Sequence, residues 1–155
     1  MLQAFVRGLS QESRWFRFAS SLPELPPRML ARYTLIDYDR EMALVAVLRD
    51  RRPDPEAESG FAESERIIGV SRYITNPDQT TCEFSLVVGD DFKGQGLGSR
   101  LMLSIADFAR DKGLQQIEGL VLANNPNMLR LMRSLGYEER RFPEDPDFKV
   151  VVKAL

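Results

Sequence analysis

There is no histidine anywhere in the 155 residues. That absence excludes Ser–His–Asp triads, imidazole general bases and the common zinc sites that contain histidine. Cysteine is nearly absent too. Cys82 stands alone, so an internal disulfide is excluded and a reducing, cytoplasmic compartment fits. No apolar run is long enough to cross a bilayer as a helix. The amino terminus, MLQAFVRGLSQESRW, carries charge early and lacks a small-residue cleavage pattern, so no secretory signal is expected. An excess of charge of one sign is also missing. The 21 basic and 23 acidic side chains leave a formal net charge of -2. Such balance gives no bulk attraction to nucleic acid or anionic lipid, and neither is expected as a partner. Acid–base work is left to carboxylates, Lys, Tyr, Cys, water or the backbone.

What is present suffices for one core. The hydrophobic fraction is 43%, and the chain reads as one domain over residues 1–155, with no repeat or interdomain linker. Ser10-Gln11-Glu12-Ser13 caps a short helix carrying Trp15, Phe16 and Phe18, which the prolines between Pro23 and Pro27 break. Met29, Leu30 and Tyr33 suggest a second short helix or turn. Met42 to Leu48 reads as a strand, and Arg51 to Glu65, rich in Pro, Glu, Asp and Gly, as an exposed loop. Ile67–Tyr73 and Thr81–Val88 read as an antiparallel hairpin about the turn Asn76-Pro77-Asp78-Gln79. Leu97, Leu101, Ile105 and Phe108 recur at helical spacing, with Gly113 just past the end. Ile117–Leu122 is a short strand of buried type, so strand, glycine turn, helix and strand form a parallel, right-handed unit. A helix over Asn127–Leu135 stops at Gly136, and Tyr137–Arg141 with Phe148–Leu155 close the sheet.

The most informative stretch is VVGDDFKGQGLGSR, Val87 to Arg100. An apolar strand ends, glycines follow at alternate positions, and an amphipathic helix begins. Backbone N–H groups at a helix start lack intrahelical partners, and the helix dipole favours an anion there. Lys93, Gln95, Ser99 and Arg100 can add donors. The segment lacks the Gly-Lys-Ser/Thr of a Walker A loop, and Gly94-x-Gly96-x-Gly98 is not the G-x-G-x-x-G fingerprint. On residues alone, two readings stay open: a phosphate cradle, or a turn with a close helix–sheet contact.

Lys93-Gly94-Gln95-Gly96-Leu97-Gly98 resembles the acyl-CoA pyrophosphate loop of the GCN5-related N-acetyltransferase superfamily, with Lys93 where Arg or Gln is usual. Asn125 to Tyr137, NPNMLRLMRSLGY, resembles the superfamily's downstream Asn, helix and Gly-aromatic segment. Leu9–Phe18 (LSQESRWFRF), Tyr33–Val47 (YTLIDYDREMALVAV) and Glu83–Val88 (EFSLVV) are similar to the acetyltransferase domain of bacterial protein lysine acetyltransferases. The resemblance implies an α+β fold, a central mixed sheet flanked by helices. Family members usually begin with a strand before the Leu-Ser-x-Glu-Ser segment, and only MLQAFVRG precedes it here. A truncated domain, a shortened gene product and a late start are the open readings, and a missing strand leaves a sheet edge uncovered or paired with a partner.

The implied activity is transfer of an acetyl group from acetyl-CoA, as cosubstrate and without a metal, to a protein lysine, typically on an enzyme that makes acyl-CoA. Glu83 is then the expected general base, acting directly or through one water. The plain alternative is an exposed strand glutamate. The Val88 N–H is expected to support the thioester carbonyl, and Val87 with Val88 to pair with the pantetheine arm. The run from Lys93 through Gly94, Gln95, Gly96, Leu97, Gly98 and Ser99 to Arg100 is expected to hold the pyrophosphate. Asn125 is expected on the CoA arm, with Asn124 as its competitor and an Asx cap as the structural reading. The general-acid tyrosine of many members falls at Met132, which has no proton to donate. Tyr137 reads as a packing residue, and Cys82 as buried core rather than a nucleophile. Asp37, Asp39 and Arg72 are candidates to bind the acceptor, against a bland reading of a charged turn with Tyr33 and Tyr38 half-buried. Two further functions stay open: acetylation of a small amine, or a non-catalytic acyl-CoA-binding module. The oligomeric state is unknown.

Overall fold

Two periodicities divide the chain, and the computed structural model, which describes residues 1–18, 20 and 22–155, follows both. Helical spacing comes first, in α1 (Leu2–Gly8), α2 (Gln11–Phe18) and α3 (Pro27–Thr34). Strand alternation follows in β1 (Glu41–Pro53), β2 (Phe61–Thr75) and β3 (Thr81–Val88). A short 3-10 turn (Asp90–Phe92), α4 (Leu97–Asp111), β4 (Gln116–Leu122), α5 (Pro126–Ser134), β5 (Glu138–Arg141) and β6 (Phe148–Ala154) complete the chain. The strands form one six-stranded sheet in the order β1-β2-β3-β4-β6-β5. Only β3 and β4 are parallel, joined through α4, and the other pairs are antiparallel. The sheet is therefore mixed and flanked by helices, the α+β arrangement expected.

Side chains alternate across a strand, so the sheet feeds two cores. Tyr73, Phe84 and Leu86 face Leu101, Met102 and Ile105 of α4 and Met132 of α5. On the opposite face Val70 meets Phe5, Val6 and Leu9 of the amino-terminal segment, with Leu25. The stripe on α4 differs in one position from its sequence reading. Phe108 is exposed and Ala109 is fully buried, since positions three and four beyond Ile105 flank the same face and the smaller side chain took the inner one. Gly113 (φ +82°) closes α4 with a left-handed residue, and the Leu114 N–H returns to the Ala109 carbonyl.

The loop expected over Arg51–Glu65 is mostly strand. β1 runs to Pro53 and β2 starts at Phe61, so only the intervening turn is irregular. This arm is exposed on both faces and has no apolar alternation to read. Cross-strand partners hold it instead. Arg49 lies opposite Glu65 at 2.6 Å, and Arg51 lies opposite Glu63 at 3.8 Å. The Arg51 guanidinium also stacks 4.0 Å from the centroid of the Phe61 ring. No strand precedes Glu41 among the described residues. α1 occupies that stretch of sequence, and β1 is an edge of the sheet, with Val45 and Val47 exposed on it.

The functional geometry starts where two strands part. β3 and β4 pair only through Thr81↔Gln116, Cys82↔Ile117 and Glu83↔Glu118. The next residues are Phe84 and Gly119. A Cβ on Gly119 would meet the Phe84 ring at 2.5–2.9 Å, inside van der Waals contact. The bare backbone of Gly119 thus admits the ring, which also packs edge-on to Tyr137 at 5.6 Å. We expect Gly119→Ala to displace Phe84 and destabilise the fold by about 1–3 kcal/mol. Thermal denaturation measures it, and an unchanged midpoint would show that this contact is not what seats the ring.

Candidate active site

Beyond Glu83 and Glu118 the two strands diverge, and a cleft of about 1170 Å³ opens between them. Phe84–Val88 form one wall. Leu120, Val121 and Asn124–Met128 form the other, and Lys93, Gly94, Gly96, Gly98 and Ser99 lie at its end. Strand geometry tells which backbone groups face this gap. The Gly89 N–H donates to the Ile68 carbonyl at 2.7 Å, so Gly89 points towards β2. Alternation then turns Val87 and Ser85 towards β2, and Val88, Leu86 and Phe84 into the gap. The Val88 N–H is thus free of the β2 ladder. Val87 is different: its backbone groups face β2, opposite Val70, and its side chain packs against the amino-terminal core while lining the cleft.

At the end of the cleft, Gly94 and Gly96 hold φ of +74° and +79°. These left-handed conformations turn the chain from the 3-10 segment into α4, and an added Cβ at either would meet nothing within 4 Å. Both glycines present open backbone to the cleft. The first intrahelical bond of α4 runs from the Arg100 N–H to the Gly96 carbonyl, so the N–H groups of Leu97, Gly98 and Ser99 begin the helix without intrahelical partners. Gly98 serves packing: a Cβ there would lie 3.1 Å from Leu131 Cδ2. Gly98 thus matches the helix–sheet packing reading, while Gly94 and Gly96 leave backbone open at the cleft. Gln95, Leu97 and Arg100 do not line the cleft. The Gln95 amide donates to the Asp91 carbonyl at 3.3 Å, Leu97 packs on the core, and Arg100 is exposed.

Lys93 lines the cleft, but its ammonium is engaged. It donates to Ser13 Oγ at 2.7 Å and lies 3.4 Å from Asp90. Ser13 Oγ and Ser10 Oγ donate to Asp90 Oδ1 at 2.7 and 2.9 Å, and the Ser10 N–H donates to Oδ2 at 2.9 Å. This network ties the start of α2 to the glycine loop, across the mouth of the cleft. Burial alone would raise the Asp90 carboxyl. The donors from Ser10 and Ser13, with Lys93 beside them, outweigh it and hold the group at about 2. In the sequence Ser10 and Ser13 read only as a helix cap, and their tie to Asp90 was not legible, because residues far apart in the chain meet only in the fold.

Glu83 heads the cleft, solvent-exposed beside its half-buried strand neighbour Glu118. Partial burial raises its carboxyl above the ordinary value of 4.5, and the Glu118 charge adds to the rise. Glu118 accepts from the Asn76 side-chain amide at 3.1 Å, which orients it. The pairing was missed in the sequence. Its only signal was a lone carboxylate in the apolar run around Ile117–Leu122. A second, smaller cavity of about 270 Å³ lies past Glu83, with Arg17, Tyr33, Glu41, Arg72 and Asn76 among its walls. Arg72 is among them. Asp37 and Asp39 are not; they are exposed in a turn in which Asp37 Oδ1 accepts from the Asp39 N–H at 3.2 Å. Tyr38, expected half-buried, is exposed on that turn, and Tyr33 is half-buried. The buried acid nearby is Glu41, whose two oxygens both lie 2.9 Å from Arg32.

The remaining candidates sort by burial. Asn125 is buried, lines the cleft and caps α5, accepting from the Met128 N–H at 3.2 Å. Asn124 is exposed and lines the same wall. Met132 is fully buried, away from the cleft. The Tyr137 hydroxyl is buried, and burial, then the nearby Cys82, pushes its ionisation far up. Cys82 is fully buried, and burial, then Glu118, pushes its thiol up to about 12, which rules against a thiolate at neutral pH. No group of three or more Cys, Asp or Glu side chains among the described residues is placed to hold a metal ion. No helix among them is long and apolar enough to cross a membrane.

Known proteins share this architecture. The model of the Acetyltransferase (GNAT) family matches residues 15–137. Acetyltransferase PA5475 of Pseudomonas aeruginosa is 33% identical over 141 residues, covering 91% of this chain and 70% of that protein. Acetyltransferase Pat of Mycolicibacterium smegmatis is 34% identical over 71 residues, 45% of this chain and 21% of that longer protein. In solved structures, the GNAT domain of S. lividans PAT superposes with a TM-score of 0.82 at 23% identity, covering 99% of this chain and 83% of that one. A domain from Methanocaldococcus jannaschii shares the fold at a TM-score of 0.73 and 12% identity, over 98% and 90% of the two chains.

The Asp90 network makes a pH-dependent contribution that can be measured. Its native carboxyl titrates near 2 against an ordinary 3.8, so the stabilisation is present above the ordinary value and is lost as pH falls through the native one. Asp90→Asn should lower the melting temperature at neutral pH by a few degrees, for roughly 1–2 kcal/mol lost at a partly exposed site. The difference from wild type should shrink between about pH 4 and pH 2. A difference that stays constant over that range would remove Asp90 as its source.

Proposed function

The chain belongs to the GNAT acetyltransferase family, and from that premise we propose that it acetylates the side-chain amine of a lysine in a protein. It is an acetyl-CoA-dependent acetyltransferase. The acceptor class is our reading, supported by the likeness to Acetyltransferase Pat and by the sequence segments around Leu9–Phe18 and Glu83–Val88. Enzymes that form acyl-CoA are the acceptors we favour, with a cytoplasmic setting and no metal. Acetylation removes a lysine's positive charge, so a lysine that holds an anionic intermediate would lose that function.

One observation carries the mechanism: the strand pair opens immediately after Glu83, and the opening ends at the glycine loop. Gly94, Gly96 and the N–H groups of Leu97, Gly98 and Ser99 hold the diphosphate of the cosubstrate. Lys93 adds positive charge there while securing α2, and Ser99 adds a hydroxyl. Gln95 and Arg100 act at most from outside the cleft wall. Asn125 and Val87 flank the pantetheine arm. The acetyl group then lies between Val88 and Glu83, with the acceptor amine arriving from the smaller cavity beside Arg72. Asp37 and Asp39 contribute only a remote field at its rim.

Glu83 accepts a proton from the acceptor ammonium, directly or through one water. The freed amine attacks the thioester carbon, forming the N–C bond. The Val88 N–H donates to the oxygen that becomes negative. As the carbonyl re-forms, the nitrogen gives its second proton to water, the C–S bond breaks and the thiolate of coenzyme A takes a proton from water. With Met132 in the core and the Tyr137 hydroxyl buried, neither side chain supplies that proton.

Glu83→Gln should reduce transfer to a lysine peptide by roughly 10²- to 10⁴-fold. Calorimetric affinity for acetyl-CoA should change little, and unchanged turnover would remove Glu83 from the mechanism. The base works deprotonated, so kcat/KM should rise with pH through the raised Glu83 value. Glu118→Gln removes the neighbouring charge and should move that acidic limb to lower pH; a limb that stays in place contradicts the coupling. Gly96→Trp forces a bulky side chain onto a left-handed residue in the phosphate approach, and should abolish acetyl-CoA binding in the same titration.

A further inference from the structure

The smaller cavity holds more positive charge than its own carboxylates neutralise. Arg17, Arg32 and Arg72 line it, with Glu41 and Glu83 as the acids. Arg32 is spoken for by Glu41, at 2.9 Å to both oxygens. Among the described residues neither Arg17 nor Arg72 makes an ion pair, although Arg72 is buried. Arg72 donates to the Tyr33 carbonyl, and the two guanidinium groups stack on the Tyr33 ring, at 5.6 Å for Arg17 and 4.7 Å for Arg72. The Tyr33 carbonyl takes up one of the five donors of the Arg72 fork, and Arg17 meets Tyr33 through its side chain. The other nitrogen atoms of Arg72 are not sealed in the core, and they border the cavity. Burying an unpaired cation is costly, and two near one another add repulsion. Burial lowers the affinity of both guanidinium groups for their protons, and in Arg72 the charge of Arg17 adds to the effect. Arginine forks match carboxylates in shape as well as charge.

We propose that Arg17 and Arg72 form an anion site for the acceptor, which carries a carboxylate at a set distance from the amine presented to Glu83. The inference rests on the reading that Glu83 receives the acceptor amine. Sheet register supplies the distance. Arg72 lies opposite Ser85, and Glu83 is two residues along β3 on the same face, opposite Ile74. Two strand residues span about 7 Å. That spacing, between backbone positions, favours an acceptor whose amine and carboxylate are well apart over an α-amine next to its own carboxylate. It suits the terminal amine of an extended lysine-like chain, with the acid at its far end or on a neighbouring residue. Arg17 joins the site because it forms a wall of both the cleft and the smaller cavity, as Glu83 does. A filled anion site would also relieve the Arg17–Arg72 repulsion, so acceptor binding draws on charge that the empty fold holds unpaired.

The carboxylate has two chemical sources: an acidic residue beside a protein lysine, or the acid of a small ω-amino acid. Two matched probe pairs separate them with the full chain at saturating acetyl-CoA. The first is a lysine peptide with Asp next to the lysine and the same peptide with Asn. The second is 6-aminohexanoate and hexylamine. The acid-bearing member of at least one pair should have a kcat/KM higher by about 10- to 100-fold, the range for hydrogen bonds to charged groups. That ratio should fall towards one in Arg17→Gln, which sits on a half-exposed helix. It should take an intermediate value in Arg72→Lys, which keeps the charge and loses the fork. A preference confined to 6-aminohexanoate supports the anion site and overturns the protein-lysine reading alone. Peptides acetylated equally with Asp or Asn, and amines acetylated equally with or without the acid, overturn the anion site and leave the lysine reading standing.

Discussion

Everything in the active cleft depends on the two parallel strands ceasing to pair after Glu83 and Glu118. Strands in a sheet normally satisfy each other's backbone groups, so an opened ladder exposes donors and acceptors that need a partner. Here the opening is held by packing. The Phe84 ring sits against the bare backbone of Gly119, and Tyr137 braces the ring from the far side. The freed edge of β3 then presents the Val88 N–H to the cleft. A substrate arm can add to that edge as a strand would, without the protein paying to break a bond that already exists.

The same parting places the chemistry. Glu83 and Glu118 are the last paired residues, so two carboxylates sit side by side at the apex. Their proximity raises the affinity of Glu83 for a proton. A base with a raised value is better matched to an ammonium near neutral pH than an ordinary surface glutamate. At the other end of the opening, two left-handed glycines and the bare start of α4 gather N–H groups for an anion. The cleft is therefore polarised along its length, with negative charge at the apex and donors at the loop.

The amino-terminal segment completes the cleft. α2 crosses its mouth and is tied to the glycine loop by Ser10, Ser13, Asp90 and Lys93. From the same helix Arg17 reaches the boundary between the large cleft and the smaller cavity. One short helix thus ties down the loop at one end and lines the smaller cavity at the other. Its position links the glycine loop to the boundary of the smaller cavity.

Local chemistry made much of this legible in the residues. Alternation along Thr81–Val88, the glycines at Gly94 and Gly96, the apolar stripe on α4 and the Asn-Pro start of α5 each dictate their own conformation within a few residues. They also specify the turn into a helix that can hold a phosphate. The exposed arm of β1 and β2 was not legible, because cross-strand charges such as Arg49 with Glu65 replace the apolar alternation that marks a strand. The Glu83–Glu118 pair, the Asp90 network and the unpaired guanidinium groups of Arg17 and Arg72 were decided only by the tertiary structure. Each joins residues distant in the chain, and charge coupling falls off with distance in space and not in sequence. Which groups share a low-dielectric pocket is therefore set when the helices and sheet pack together.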